Sequence, residues 1–119
     1  MKANELMIGD WVENDFGEIQ KVVELREIGA MLSYNDIYSY DEIEPIPLTP
    51  EILKKNGWKY NKDYWMWDND DACFLSLIEG KDRNAFWWGN PSIIVCPINY
   101  VHELQHALRL CGIDLEIQL

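Results

Sequence analysis

Five residues near the end of the sequence have the types and spacing of a zinc peptidase motif: His102, Glu103, Leu104, Gln105 and His106. Residues four positions apart share a face of a helix, so His102 and His106 can bind one zinc ion together. Glu103 then stands where such enzymes keep the carboxylate that activates the metal-bound water. A minimal zinc metallopeptidase is therefore one hypothesis for this chain.

A zinc site needs a further protein ligand, and the sequence offers few candidates. His102 and His106 are the only two histidines in the chain, so a carboxylate or a cysteine has to complete the site. The longer zinc peptidase motif requires glycine and histidine three and six residues later, where this chain has Arg109 and Gly112. Glu116 is a remaining candidate, and the fixed charge of Arg109 works against a divalent cation. We therefore favour neither zinc nor any other cofactor.

The element that carries the motif is predicted to be an amphipathic helix over residues 100–111. Its apolar residues recur at steps of three and four: Val101, Leu104, Leu108 and Cys111. This spacing is typical of one buried stripe, and Gly112 follows as a C-terminal stop. His102 and His106 lie on the opposite side of the helix. The pattern thus favours a solvent-facing or partner-facing pair of histidines over a metal site.

The first 48 residues show short apolar runs separated by turn residues, which is the pattern of a small β-sheet. The predicted strands cover residues 6–12, 18–26, 30–34 and 37–40. Such short strands joined by tight turns predict an SH3-like small β-barrel lobe over residues 1–48. Its aromatic residues fit either a core or a peptide groove: Trp11, Phe16, Tyr34, Tyr38 and Tyr40.

The prolines in residues 45–48 predict an extended connector. Thr49 is predicted to cap a short helix that begins at Pro50 and stops at Gly57. The remaining chain, residues 49–119, is predicted to form an antiparallel sheet packed by one C-terminal helix and a final strand. The expected fold class is therefore α+β, with both lobes making one compact domain of 119 residues.

Aromatic residues are dense in the predicted second sheet, where several tryptophans fall on neighbouring strands. The candidate partner-binding residues are Trp65, Trp67, Trp87 and Trp88. Exposed tryptophans are enriched at the energetic centres of protein interfaces, which favours this hypothesis. Packing of the sheet against the rest of the chain explains the same residues without a partner.

Charge separates the classes of partner. The chain carries 21 acidic and 10 basic residues, a net charge of -11, which argues against direct nucleic-acid binding because phosphates require clustered cations. A protein with a basic surface fits the sign better. Three widely spaced cysteines indicate neither a disulfide framework nor a cysteine zinc site. With no signal core and no run long enough for a membrane span, we expect a cytoplasmic protein without membrane contact.

Three stretches form a recognisable set: residues 6–12, residues 45–53 with Gly57 and Trp58, and residues 100–105. They resemble a family of short phage and mobile-element proteins found in Bacteroidetes. The resemblance implies that relatives often have Gln at position 103 and Asn at position 106, so the zinc motif is not a shared feature. It also implies a phage-related protein. From this resemblance and the net negative charge, we expect a non-enzymatic protein that acts through protein contacts, as an acidic inhibitor of a nucleic-acid-binding machine.

Overall fold

The computed structural model describes residues 1–61, 64–67, 76–79, 86–90, 93–110, 112–113 and 115–119. The chain divides into two compact units. Unit 1 comprises Met1–Pro47 and Tyr100–His106, and unit 2 comprises Leu48–Asn99 and Ala107–Leu119. The first boundary lies one residue before the predicted end of the N-terminal lobe. The membership of residues 100–106 in unit 1 is not anticipated by the sequence.

Unit 1 contains one sheet of five antiparallel strands: β1 (Trp11–Glu13), β2 (Ile19–Leu25), β3 (Gly29–Leu32), β4 (Ile37–Ser39) and β5 (Glu44–Pro45). Their order is β4-β3-β2-β1-β5. The side chain of Asn14, which follows β1, donates a hydrogen bond to the Tyr38 hydroxyl on β4. Since β2 and β3 lie between these two strands, the contact shows that the sheet is curled. The closed SH3-like barrel is not confirmed, since β4 and β5 end the described strand order without pairing.

The interior of the unit 1 sheet is an apolar cluster of residues drawn from every part of the sheet: Leu6, Val12, Val22, Ala30, Leu32, Tyr38 and Ile43. Val12 and Val22 show the expected alternation, because their strand neighbours face outward. Leu6 reaches this core from outside the sheet. Burial of these side chains is the main favourable term in the stability of unit 1.

The first predicted strand is wrong over residues 6–10. Gly9 has a φ of 93°, which is the left-handed region that glycine adopts without a steric penalty. Asp10 closes the turn, because its amide donates to the Met7 carbonyl at 3.1 Å and its carboxylate accepts from the Met7 amide at 2.8 Å. The turn therefore occupies the segment, and the strand begins only at Trp11.

Unit 2 begins with helix α1 (Pro50–Lys55), whose predicted caps are confirmed. The Thr49 hydroxyl accepts a hydrogen bond from the Ile52 amide, and Gly57 ends the helix with a φ of 88°. An antiparallel meander follows: β6 (Trp58–Asn61), β7 (Tyr64–Trp67), β8 (Ser76–Glu79), β9 (Phe86–Asn90) and β10 (Ile93–Ile98). The α+β class is thereby confirmed.

Helix α2 (Val101–Leu110) ends at Gly112, which has a φ of 71°. The Ile113 amide donates to the Leu108 carbonyl at 2.9 Å, as in a common C-terminal helix cap. The predicted stripe is buried at Val101, Leu104 and Leu108, while Cys73 and Cys111 lie outside the described residues. None of the described helices has the length and apolar content needed to cross a membrane.

The predicted final strand is wrong. Residues 115–119 do not form a strand, although Ile117 is buried as the alternation requires. The side chain of Asn56 occupies the place of a neighbouring strand. Its Nδ2 donates to the Gln118 carbonyl at 2.8 Å and its Oδ1 accepts from the Gln118 amide at 2.6 Å. One side-chain amide thus satisfies backbone groups that a strand would otherwise pair.

Candidate functional site

The five motif residues lie in the part of α2 that belongs to unit 1, which ends at His106. The Val101 amide donates to the Ile46 carbonyl at 2.8 Å, which fixes the start of the helix beside β5. Glu103 then reaches back, and its Oε1 accepts a hydrogen bond from the Tyr100 amide at 3.0 Å. This is the carboxylate half of a capping box. The candidate catalytic base is therefore engaged in starting the helix.

Gln105 connects the helix to the turn that precedes β1. Its Nε2 donates to the Gly9 carbonyl at 3.0 Å, and its Oε1 accepts from the Trp11 amide at 2.9 Å. Both polar atoms of the side chain therefore bind backbone groups more than 90 residues away in sequence. These contacts join residues 6–12 to residues 100–105.

His106 contacts the same turn through a buried carboxylate. Its Nε2 lies 2.6 Å from the Oδ2 of Asp10, and the Asp10 side chain is fully buried. A carboxylate oxygen accepts hydrogen bonds, so Nε2 of His106 carries the proton and donates it. A second donor, the Met7 amide, binds the same oxygen. These two donors offset the loss of water around Asp10.

His102 is only 5% exposed, so the prediction of a solvent-facing histidine is wrong at this position. Its ring stacks on Tyr100 at a centroid distance of 5.9 Å and meets the His106 ring edge-on at 5.5 Å. Among the described residues Nδ1 of His102 has no hydrogen-bond partner. Burial lowers the pKa of His102 below its ordinary value of 6.5, and the nearby Asp10 carboxylate opposes that shift.

The zinc hypothesis gains no support from this arrangement. A nitrogen that donates its proton to a carboxylate has no lone pair left for a metal, and this holds for Nε2 of His106. Within the described ranges no group of three His, Cys, Asp or Glu side chains is placed to hold a metal ion. Glu103 faces the Tyr100 amide instead of a water between the two histidines. The contacts of Gln105 and His106 attach this part of α2 to the turn at Gly9.

The structure describes the side chain of one of the four candidate partner-binding tryptophans, Trp65. Trp65 is 4% exposed, so its ring is not available on the surface. Its cross-strand neighbour Tyr60 is half exposed and lies 5.3 Å from it between ring centroids. The side chains of three candidates lie outside the described part of the chain: Trp67, Trp87 and Trp88. A partner-binding role for those three stays a prediction.

Two exposed aromatic residues in unit 1 stand out from the predicted aromatic set. Phe16 is 76% exposed and Tyr34 is 65% exposed, whereas Tyr38 is part of the core. The sequence signal was present, because Phe16 lies in a run of turn residues and not in a strand pattern. Asp10 gave no such signal, since nothing local distinguishes a buried carboxylate from a solvated one.

Charge is distributed unequally between the units. Unit 1 holds 12 of the 21 acidic residues but only 3 of the 10 basic residues. Of those three cations, Lys21 lies over the Trp11 ring at 4.9 Å and Arg26 is paired with Glu24 at 2.9 Å. The acidity of the whole chain is therefore mainly a property of unit 1.

Comparisons with known proteins assign no family to this arrangement. No family model matches the sequence, and neither a curated protein nor a solved structure matches it. The function therefore has to be argued from the residues and their contacts.

Proposed function

We propose that the chain is a non-enzymatic binding protein of phage or mobile-element origin. It acts through protein contacts, as an acidic inhibitor of a nucleic-acid-binding machine. The observation that carries this proposal is the concentration of negative charge in unit 1, with 12 carboxylates against 3 cations. A surface evolved to bind phosphates presents clustered Lys and Arg, and unit 1 presents the opposite sign.

The carboxylates of unit 1 are mostly on its surface. The exposed ones are Glu5, Asp15, Glu18, Glu24, Glu27, Asp36, Asp41, Glu42 and Glu44. Exposed charges of one sign attract a basic partner from a distance and raise the association rate. Such a protein competes with nucleic acid for the same basic surface.

The roles of the α2 side chains support a function without catalysis. Glu103 binds the Tyr100 amide, and His106 binds Asp10. A general base or a metal ligand has to be free to meet substrate or metal, whereas these groups are engaged within unit 1. In the part of the chain that the structure describes, the hypothesis of a zinc peptidase therefore rests on the sequence motif alone.

The fold supports the same class of function. The strand order β4-β3-β2-β1-β5 and the hydrogen bond between Asn14 and Tyr38 describe a strongly curled sheet. We therefore relate unit 1 to the SH3-like small barrels, which place variable turns at the ends of a compact sheet. The proposed site of action is the cytoplasm, where nucleic-acid-binding machines operate.

Capture from a nuclease-treated Bacteroidetes lysate tests the proposal. The bait proteins are the wild type, the unit 1 variant Asp15→Asn with Asp36→Asn, and the unit 2 variant Glu51→Gln with Glu116→Gln. Each variant removes two negative charges from exposed positions. We expect the wild type and the unit 2 variant to retain a nucleic-acid-binding protein that added salt releases, and the unit 1 variant to retain less of it.

A second measurement tests inhibition directly. The captured protein is purified, and its binding to a labelled duplex is followed by fluorescence anisotropy. We expect the wild type to displace the duplex at lower concentration than the unit 1 variant does. Capture of proteins that do not bind nucleic acid, or equal capture by all three baits, would contradict the proposal.

A further inference from the structure

Two exposed aromatic side chains lie at the same end of the unit 1 sheet. Phe16 is in the turn between β1 and β2, and Tyr34 is in the turn between β3 and β4. In an antiparallel meander the first and third turns fall on the same side, because every second strand reverses direction. The two turns are two strand spacings apart, which is roughly 10 Å. Both side chains can therefore meet one partner surface.

The turn that carries Phe16 is held by a buried side chain. Asn14 Oδ1 accepts hydrogen bonds from the Phe16 amide at 3.0 Å and the Glu18 amide at 2.9 Å. Asn14 Nδ2 donates to the Glu18 carboxylate at 3.0 Å and to the Tyr38 hydroxyl at 3.2 Å. The backbone beneath Phe16 is thus fixed although the ring does not belong to the core. An anchor held in this way loses little conformational entropy on binding.

The turn that carries Tyr34 is tied to the strand that leaves the Phe16 turn. The Tyr34 amide donates to Oε1 of the buried Gln20 at 3.2 Å, and Ser33 Oγ accepts from the Lys21 amide at 3.3 Å. The Asn35 amide closes the turn on the Leu32 carbonyl at 2.8 Å. Both aromatic positions are therefore fixed relative to β2.

The surroundings of the two rings are acidic. Asp15 and Glu18 flank Phe16, Asp36 follows Tyr34 by two residues, and all three are exposed. Residues 14–18 and 33–36 contain no Lys or Arg. A nucleic acid is repelled by this surface, whereas a protein surface with cations around an apolar recess is complementary in charge and in shape. Exposed aromatic residues with these properties are typical binding hot spots.

We propose that Phe16 and Tyr34 are the apolar anchors of one partner-binding surface, and that this surface takes a protein segment in which Lys or Arg side chains flank an apolar residue. The inference rests on the proposed function and names the surface and the chemistry of its partner. The two rings supply most of the binding free energy, and the carboxylates around them attract the partner electrostatically.

A displayed library of random dodecapeptides, selected on the immobilised wild-type protein, tests this surface without knowledge of the natural partner. We expect the enriched peptides to combine Lys or Arg with apolar residues. Their dissociation constants for Phe16→Ser and Tyr34→Ser should rise about tenfold or more, as for hot-spot residues. Ile28→Ser is the matched control, because Ile28 is 75% exposed in the turn between β2 and β3, at the other end of the sheet.

The surface is overturned if the enriched peptides are not cationic, if they bind Phe16→Ser and Tyr34→Ser as tightly as the wild type, or if no peptide is enriched. Urea midpoints equal to the wild type establish that each variant is folded. The lysate capture reports separately on whether a partner exists. A partner that depends on Asp15 and Asp36 but not on the two rings leaves the proposed function intact and removes only this surface.

Discussion

Asp10 is a carboxylate that has lost its water, and its contacts show what the motif residues do. The Met7 amide and Nε2 of His106 both donate to its Oδ2. Without these donors a buried charge is strongly unfavourable. At the scale of single residues, His106 therefore stabilises a charge in the interior of unit 1. The contact with Asp10 accounts for the position of His106 on the inner side of α2.

Substitution of His106 tests this role. His106→Ala removes one donor from the buried Asp10 carboxylate, and we expect the free energy of unfolding to fall by about 1–3 kcal/mol. His106→Asn keeps an N–H donor at the position and should lose less than about half of that. Urea unfolding followed by tryptophan fluorescence measures both. Equal losses in the two variants would remove the hydrogen bond as the cause.

Acid should weaken the fold through His102. Its pKa in the folded chain is below the ordinary 6.5 because the ring is buried, so unfolding takes up a proton as the pH falls below about 6.5. The contribution of His102 to stability is therefore complete above that pH and is lost below it. His102→Leu should show a smaller loss of stability between pH 7 and pH 5 in urea titrations. An unchanged pH dependence would contradict the assignment.

A zinc-binding measurement tests whether the motif residues form a metal site. Because Nε2 of His106 donates to Asp10, we expect untagged protein that has been dialysed against zinc and then desalted to keep far less than one equivalent. Metal analysis by plasma emission measures this directly. Near-stoichiometric zinc that disappears in His106→Asn would restore the peptidase hypothesis.

At the scale of elements, both ends of α2 have recognisable capping contacts. Tyr100 and Glu103 form its start, and Gly112 with Ile113 forms its end. The cap at Glu103 satisfies an amide that has no partner inside the helix. A catalytic glutamate needs a carboxylate that can take up a proton, whereas a capping glutamate needs only a hydrogen-bond acceptor. Substitution of Glu103 therefore affects the two roles differently.

Glu103→Gln and Glu103→Ala distinguish the two roles. Glutamine keeps an acceptor for the Tyr100 amide, so we expect nearly wild-type stability, while alanine should cost about 1 kcal/mol. Thermal unfolding followed by circular dichroism gives the comparison. If glutamine destabilises the fold as strongly as alanine does, the cap is not the source of the effect.

Elements whose signals are local were predicted well from the sequence. Thr49 and Gly57 bound α1, and Gly112 ends α2, because capping depends on residues within one turn of the helix. The failures have non-local or competing causes. The strand expected over residues 6–10 gives way to a turn closed by the Asp10 side chain, and the one over residues 113–119 gives way to contacts from Asn56.

The site was predicted less well than the fold. The sequence placed His102 and His106 on one side of a helix, but it could not show that Asp10, 96 residues before His106, lies against that side. Pairing at such separation is decided by tertiary packing, which no local pattern encodes. The helix wheel therefore predicted the right face and the wrong environment for His102.

For the whole molecule, the unequal charge of the two units has a physical consequence. Unit 1 carries 12 carboxylates and 3 cations, and like charges on one compact unit repel each other and favour the unfolded state. Salt screens this repulsion over distances of about 10 Å at 0.1 M. Stability and partner binding should therefore respond to salt in opposite directions.

The melting temperature tests the repulsion. Raising sodium chloride from a low concentration to a physiological one should raise the wild-type melting temperature by a few degrees. The rise should be smaller in the unit 1 variant Asp15→Asn with Asp36→Asn, and close to wild type in Glu51→Gln with Glu116→Gln. Differential scanning fluorimetry gives all three values. A melting temperature that falls with salt would show that attractive ion pairs dominate.

Gln105 and His106 complete unit 1 from a point in the chain far beyond its sheet. Residues 1–47 emerge from the ribosome before residues 100–106, so the Gly9 carbonyl, the Trp11 amide and Asp10 receive these partners only after residue 106 has been made. At roughly 5–20 residues per second, the Asp10 carboxylate is without its His106 donor for several seconds during synthesis. The hydrogen bonds that hold the turn at Gly9 against α2 are therefore complete only after residue 106 has been synthesised.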